Sequence, residues 1–449
     1  MTRVLLLSTT TGYQTRAFVD AAAELGVELM LATDRCDQLP NPWRDGAVPI
    51  RFHREDQSVE ALLAAARERP VDGVLVIGDR PVAIAARVAE ALGLPGHPVD
   101  AARASRDKHA LRERLAAAGL PVPWFRTYDL GPRTPPFGGL GAALSKVEGP
   151  DVGRREWTPD VGRRTSDVTF PCVLKPISLS ASRGVIRAND PDEFVAAWNR
   201  ILRLLRSKDV QTLRDPSTER LQVEEFIEGR EFAVEGLLDR GRLQVLAIFD
   251  KPDPLDGPFF EETIYVTPSR RPAEEQQAIV EGIGAAVAAV GLRHGPIHAE
   301  CRVNARGVFV LEVAARPIGG LCARALRFET PDGGHRSLEA LLMAHASGHP
   351  VASCRREAAA SGVMMIPVPG AGRYRGLDGL AEAEAVPGIT SIEITAKLDQ
   401  ELVPLPEGAS YPGFIFARGD TPEEVVASLR AAHGRLRFRI ARELDVHEP

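Results

Sequence analysis

Residues 298–320, HAECRVNARGVFVLEVAARPIGG, set two acidic side chains, Glu300 and Glu312, into otherwise strand-like sequence. Acidic residues are depleted in strands, and burying an unpaired charge is costly. Two adjacent antiparallel strands joined at Asn304-Ala305-Arg306-Gly307 would put Glu300 beside Glu312. Carboxylates that close repel, and one stays protonated unless a cation lies between them. Mg2+ held by a couple of carboxylates and by substrate phosphates is the arrangement this chemistry suggests. Just beyond, Arg316 has the planar fork that grips a phosphoryl or carboxylate oxygen through paired hydrogen bonds. Gly319-Gly320 precede the helix-like LCARALRF and would offer backbone donors at a helix N-terminus. A zinc reading from His294 and His298 is weaker, because Gly295-Pro296 between them breaks helical i, i+4 geometry. Two edge carboxylates facing water would be the bland account, and the apolar flanks argue against it.

Two more stretches could do chemistry. FPCVLKP (170–176) reads as a strand ending in Lys175, followed by SLSASRGV (178–185). Small side chains at Ser178, Ser180, Ala181, Ser182 and Gly184 let backbone N–H groups approach an anion, and the ammonium neutralises it as a point charge. The GxxxxGK[ST] loop is absent. A surface lysine before a flexible loop fits the same residues. In VEEFIEGREF (223–232), carboxylates at 224, 225, 228 and 231 surround Phe226-Ile227. A flat heterocycle could bond to that backbone and a carboxylate could hold ribose hydroxyls; taken alone, a solvated hairpin explains the pattern better.

These residues need elements to position them. RVLLLST (3–9), VELMLAT (27–33) and VDGVLVIGD (71–79) are short apolar runs alternating with helical segments. That alternation predicts βαβ units and a parallel, doubly wound sheet over residues 1–105. Ligands bind such sheets at the carboxyl ends of the strands, here Ser8 to Gly12 and Gly78-Asp79-Arg80, though neither loop is a GxGxxG. The helix in 106–125 is stopped by Gly119. Residues 131–167 are rich in Gly, Pro and Arg and repeat PDVGRR, which reads as a duplicated, mobile surface loop. Residues 221–252 read as strand, turn, strand, turn, strand, with a hairpin turn at Asp239-Arg240-Gly241. After residue 340 the pattern predicts a separate α+β lobe (341–449), leaving 106–340 as a central unit.

Composition bounds the rest. The 449 residues carry a net charge of −6, with 44% hydrophobic and 26% charged residues. No basic excess drives binding to nucleic acid or an anionic membrane. No stretch approaches the ~20 apolar residues of a membrane span, and the first apolar run is too short for a secretory signal. Five scattered cysteines without a CxxC argue against a disulfide framework. A soluble, cytoplasmic protein is expected.

The three constellations occur in one order: lysine with a small-residue loop, acidic hinge strand, paired carboxylates with arginine. In that order the sequence resembles the ATP-grasp superfamily over about residues 106–328. The resemblance implies an ATP-grasp fold, α/β plus α+β, whose subdomains grip ATP. It implies that Lys108 and Lys175 contact phosphates while the 178–184 loop, with Ser180, Ser182 and Gly184, closes over them. Glu224 and the backbone of Phe226 and Ile227 would meet adenine, and Glu231 the ribose. Glu300 and Glu312 would bind Mg2+, and Arg316 would steady an acyl phosphate. Many members read Glu-x-Asn at the second carboxylate; Glu312-Val313-Ala314 lacks the Asn, which puts a two-metal site in doubt. The departure resembles the branch of the L-amino acid ligases, related to biotin carboxylase and carbamoyl phosphate synthase. That branch carries a hairpin glutamate six residues before a proline, as Glu262 and Pro268 stand here. Where the ligases place a histidine three beyond the glutamate, this chain has Tyr265. The implied reaction joins a small-molecule carboxylate to an amine through an acyl phosphate, at a site including Gly319 and Gly320, with homodimerisation common in the superfamily. A bicarbonate-activating carboxylase-type enzyme and a non-catalytic nucleotide-binding scaffold remain alternatives. Arg183, Lys251, Asp253 and Arg324 could line substrate pockets or face solvent.

Overall fold

The computed structural model describes residues 2–9, 12–34, 47–130 and 168–441. The 131–167 segment with its PDVGRR repeat, Thr10, Thr11 and Cys36 lie outside the described residues.

The chain opens with a four-stranded parallel sheet in the order Val48–Ile50, Glu28–Asp34, Arg3–Ser8, Gly73–Ile77. Leu5, Leu6 and Leu7 are fully buried in its central strand, and each such side chain stabilises the fold by roughly 1.5–3 kcal/mol. Strand order reverses between Arg3–Ser8 and Gly73–Ile77, so Gly78 and Asp79 emerge at the switch point where such sheets receive ligands. Gly73 lies so close to the helix Leu338–Ala346 that a Cβ there would meet the Ala346 carbonyl oxygen at 1.9 Å.

A second, antiparallel sheet runs Phe125–Asp129, Arg220–Glu225, Cys172–Pro176, Ile186–Ala188. The helix Pro191–Leu205 covers it, capped by Asp190 with Pro191 in its first turn. Phe194, Ala197, Trp198, Ile201 and Leu205 recur at helical spacing and are buried against the sheet. The helix Lys108–Ala117 starts later than its sequence pattern suggested, because the Asp107 carboxylate accepts from the N–H groups of His109 and Ala110. That cap sets the register that buries Leu111, Arg112 and Leu115.

The third sheet is the backbone of the molecule: eight antiparallel strands in the order Gly307–Ala314, Gly295–Asn304, Arg230–Asp239, Arg242–Asp250, Ile264–Thr267, Ala360–Met365, Gly413–Gly419, Ile389–Ile394. Of the C-terminal elements, expected as a lobe apart, three strands extend the central sheet, while Gly372–Asp378, Glu401–Leu402 and Arg437–Ala441 form a small sheet of their own. The cause is the strand Ala360–Met365, buried along its whole length, which pairs with Ile264–Thr267 on one edge and Gly413–Gly419 on the other. The helix Ala273–Val290 packs the opposite end of the sheet onto the first domain, in one apolar cluster that includes Ile279, Ile283, Val287 and Leu111. The helix expected at LCARALRF is a single 3-10 turn, Cys322–Ala325, after which Leu326 is extended and Arg327–Glu329 is a strand. No helix N-terminus stands behind Gly319-Gly320. Among the described residues no helix is long and apolar enough to cross a membrane.

Candidate active site

The residues that the resemblance assigns individually to nucleotide, metal and substrate, apart from Gly184, line one cavity of about 460 Å³ between the three sheets. Gly184 has φ +73, and a Cβ there would meet Pro176 at 2.7 Å. It shapes the loop by packing, and its N–H donates to the Pro406 carbonyl at 2.8 Å. Arg183, Asp253 and Arg324 lie away from the cavity, paired with Asp209, with Thr263 and Arg430, and with Glu393.

One end of the cavity is rich in cations. Lys175 reaches Glu224. The buried Arg112 grips the same carboxylate through Nε at 3.1 Å and Nη2 at 3.2 Å, and Gln222 Nε2 donates to it at 2.8 Å. Burial pushes the Glu224 carboxyl up, but Arg112 and Lys175 outweigh it and hold it at about 2. Lys108 Nζ donates to the carbonyls of Leu179 at 2.8 Å and Ile177 at 3.3 Å, so it braces the loop that follows Lys175. Burial and the neighbouring Lys175 lower the Lys108 ammonium. Arg112 and Lys175 thus hold one carboxylate here, while Lys108 is pulled more by Glu312 than by Glu224.

The groups expected to read a heterocycle are partly engaged. The Phe226 N–H donates to the Pro171 carbonyl at 3.1 Å, and the Ile227 carbonyl accepts from Arg302 at 2.7 Å. The Phe226 ring lies under the guanidinium of Arg187, 4.0 Å from its centroid.

The other end is rich in carboxylates. Glu300 and Glu312 are direct register partners on neighbouring strands, with a bulge immediately after Glu300. Lys251 Nζ donates to Glu231 at 2.8 Å, Glu262 at 2.6 Å and Glu300 at 2.8 Å. Glu231 is also held by Arg302 Nε at 2.8 Å. Tyr265 donates its hydroxyl to Glu300 at 3.2 Å. His298 stands between Glu235, at 2.5 Å, and Glu300, at 3.6 Å. Burial disfavours charge on His298, but the two acids outweigh it and lift its ring to about 9. Lys251 and His298 likewise outweigh burial and keep Glu300 well below the carboxylate range. Burial, joined by the charge of Glu300, pushes Glu262 up to about 7 against the pull of Lys251.

Arg316 closes the wall between the ends. Its Nε and Nη2 grip Asp79 at 2.7 and 3.2 Å, and Nη2 lies 3.7 Å from Glu312. The fork expected on an oxyanion is thus anchored on the switch point of the first sheet. Asp79 and Glu312 outweigh burial and raise the Arg316 guanidinium, while Arg316 depresses Asp79 despite burial. The zinc pairing of His294 with His298 does not form. A strand advances about 3.3 Å per residue, so His298 reaches the cavity while His294 sits at the rear, beside Asp239 and His345.

Sequence reading missed Arg112, placed Asp79 only in a ligand-side loop, and weighed His298 only as a zinc ligand. Each acts through a partner distant in the chain, and no local pattern marks such pairs.

Family models match in three blocks: an ATP-grasp N-terminal domain at residues 19–96, an ATP-grasp domain at 168–325, and an L-amino acid ligase C-terminal domain 2 at 364–441. The chain belongs to the ATP-grasp superfamily. Its fold is similar to that of an L-amino acid ligase from Bacillus licheniformis, with TM-score 0.77 and 25% identity over 98% of this chain and 99% of that one. Among curated relatives, the alanine–anticapsin ligase of Bacillus subtilis is 26% identical over 59% of this chain and 52% of its own length. The dapdiamide A synthase of Enterobacter agglomerans is 24% identical over 84% and 82%. The chain spans about half the length of the first of these relatives.

Proposed function

We propose that the chain is an ATP-dependent carboxylate–amine ligase that forms an amide or peptide bond through an acyl phosphate, releasing ADP and phosphate. The polarity of a single cavity carries this reading: lysines at one end, acids on neighbouring strands at the other. Lys108 and Lys175 would neutralise the phosphates of ATP beneath the Ser180–Ser182 loop, with adenine against Phe226 and Ile227 and the ribose toward Glu231. The all-oxygen donor pair Glu300 and Glu312, opposed in register, fits a hard divalent cation. When bound there, Mg2+ would screen charge on the transferred phosphoryl group.

The remaining work falls to the chain's own side chains. A substrate carboxylate oxygen attacks the γ-phosphorus, the bond to the β-bridging oxygen breaks, and ADP leaves with the electron pair. Arg316 balances charge on the acyl phosphate from the cavity wall. The amine nitrogen then attacks the carbonyl carbon and phosphate departs with the C–O bond electrons. Glu262, titrating at about 7, takes the proton shed by the amine, since a base works best near the operating pH. Tyr265 and Gly319-Gly320 border the two substrates. Water must be kept from an acyl phosphate, and the 178–184 loop serves this through its ties to residues 406 and 407. The ligase names of the relatives support the same reading.

ADP release measured across pairs of amino acids tests it. The expected result is ADP and phosphate formed one for one with an amide, only when acid and amine are both present, and reduced to background in Glu312→Gln. ADP release that survives Glu312→Gln would remove the magnesium assignment. Turnover driven by bicarbonate without amine would favour a carboxylase-type reaction, and nucleotide binding without turnover a scaffold.

A further inference from the structure

Behind the central sheet, away from the cavity, a hairpin, a strand start and a helix end bring together one carboxylate and two imidazoles. Arg240 and Gly241 both have left-handed φ, +50 and +91, which makes the hairpin turn tight and sets Asp239 at the end of its strand. The Gly241 N–H donates to the Arg293 carbonyl at 2.6 Å, tying the hairpin to the segment that carries His294. The Arg293 N–H donates to His97 Nδ1 at 3.2 Å. His345 comes from the last turn of Leu338–Ala346, and its ring stacks on that of His294 with centroids 4.3 Å apart and planes inclined by 25°.

One oxygen of Asp239 and one nitrogen of each ring lie within 4.8 Å of one another. Asp239 Oδ1 is 3.4 Å from His294 Nδ1 and 3.9 Å from His345 Nε2. Both of those nitrogens are buried without a hydrogen-bond partner, and His345 is 8% exposed. An unsatisfied buried polar atom demands an explanation. Metal–ligand bonds of about 2.0–2.1 Å in tetrahedral array set donor atoms about 3.4 Å apart, close to the separations here. Burial also lowers both imidazoles, His345 to about 4, which leaves neutral rings with free lone pairs.

We propose that Asp239, His294 and His345 form a second metal site, selective for an imidazole-preferring divalent ion such as Zn2+, which pins the hairpin to the helix Leu338–Ala346. Asp239 is 69% exposed, so the ion reaches the site from solvent. None of the three side chains lines the ligase cavity, so the site braces the fold and takes no part in amide formation. It stands or falls independently of the proposed reaction.

The full chain, stripped with a chelator and kept in excess Mg2+ to cover the cleft carboxylates, is titrated with Zn2+ by calorimetry. One Zn2+ per chain is expected, with a rise in Tm of about 2–4 °C. Asp239→Asn and His345→Gln each weaken Zn2+ binding by roughly tenfold or more, while Glu312→Gln in the cavity leaves it unchanged. Should His345→Gln fail to fold, the exposed Asp239→Asn still decides. Equal Zn2+ binding by wild type and Asp239→Asn, or loss of binding in Glu312→Gln, would overturn the site.

Discussion

Glu224 and Glu262 lie in the same cavity, both beside a lysine, and ionise in opposite ways: Glu224 is held at about 2, Glu262 is raised to about 7. Burial acts on both in the same direction. The difference is the ratio of charges around them. Glu224 shares its site with Arg112 and Lys175 and meets no second acid at hydrogen-bond range. Glu262 divides one lysine with Glu231 and Glu300. A low-dielectric pocket amplifies such imbalances, so one cleft can keep a permanent anion among cations at one end and a proton acceptor near neutrality at the other.

The largest test of that contrast is Glu262→Gln. Losing a general base reduces the rate by about 10²–10⁴-fold, read as kcat/KM for amide formation. Wild-type kcat/KM rises with pH through about 7, because only the ionised Glu262 accepts a proton; the variant lacks that limb. A limb that persists in Glu262→Gln assigns the proton to another group. Next is Lys251→Met, which leaves three buried carboxylates without their shared cation and destabilises the fold by about 3–5 kcal/mol at pH 8. In that variant Glu262, already raised in the wild type, loses the pull of Lys251, and its folded carboxyl titrates further above its unfolded value. The lost stability therefore returns as pH falls through the raised value and the acid takes up a proton. Urea unfolding at pH 8 and pH 6 measures this, and a pH-independent difference would show that Lys251 is not neutralising the cluster.

The opposed pair Glu300 and Glu312 was legible in the sequence because the Asn304-Ala305-Arg306-Gly307 turn fixes the register of its two strands. The parallel sheet was legible for a similar local reason: fully apolar runs alternate with amphipathic ones. What decides the ionisation of Glu224 and Glu262 was not legible. Arg112 pairs with Glu224 and Asp79 with Arg316 across more than a hundred residues, and chain periodicity carries no information about such contacts. Lys251 read equally as a pocket or a solvent lysine, since its role depends on three acids gathered from two strands and a loop. LCARALRF misled because one 3-10 turn buries Cys322 and Ala325 with the same spacing as a helix.

Glu224→Gln isolates the other half of the contrast. A carboxyl moved from 4.5 to about 2 by folding contributes about 3 kcal/mol of stability above its unfolded value. That contribution is lost as pH falls from about 4.5 toward 2. Acid unfolding of the wild type should carry this component, and the variant, already weaker at pH 7, should lack it. Coincident pH dependence of the two proteins would mean that Arg112 and Lys175 do not hold the charge.

The smallest effect concerns the loop over the cationic end. Gly184 N–H reaches the Pro406 carbonyl and Arg183 Nε the Glu407 carbonyl at 2.7 Å, while Arg200 grips the Glu407 carboxylate at 2.5 and 2.8 Å. The last of these ties is more than a third exposed on both sides, and such pairs are worth up to about 1 kcal/mol. Glu407→Ala removes it and keeps the two backbone contacts. The loop then opens more often, and water reaches the proposed acyl phosphate. ADP released per amide formed should rise by about two- to fivefold, with Glu262 and its pH limb untouched. An unchanged ratio would mean that the two backbone contacts alone keep the loop closed, and that the cationic end is sealed independently of the surface ion pair.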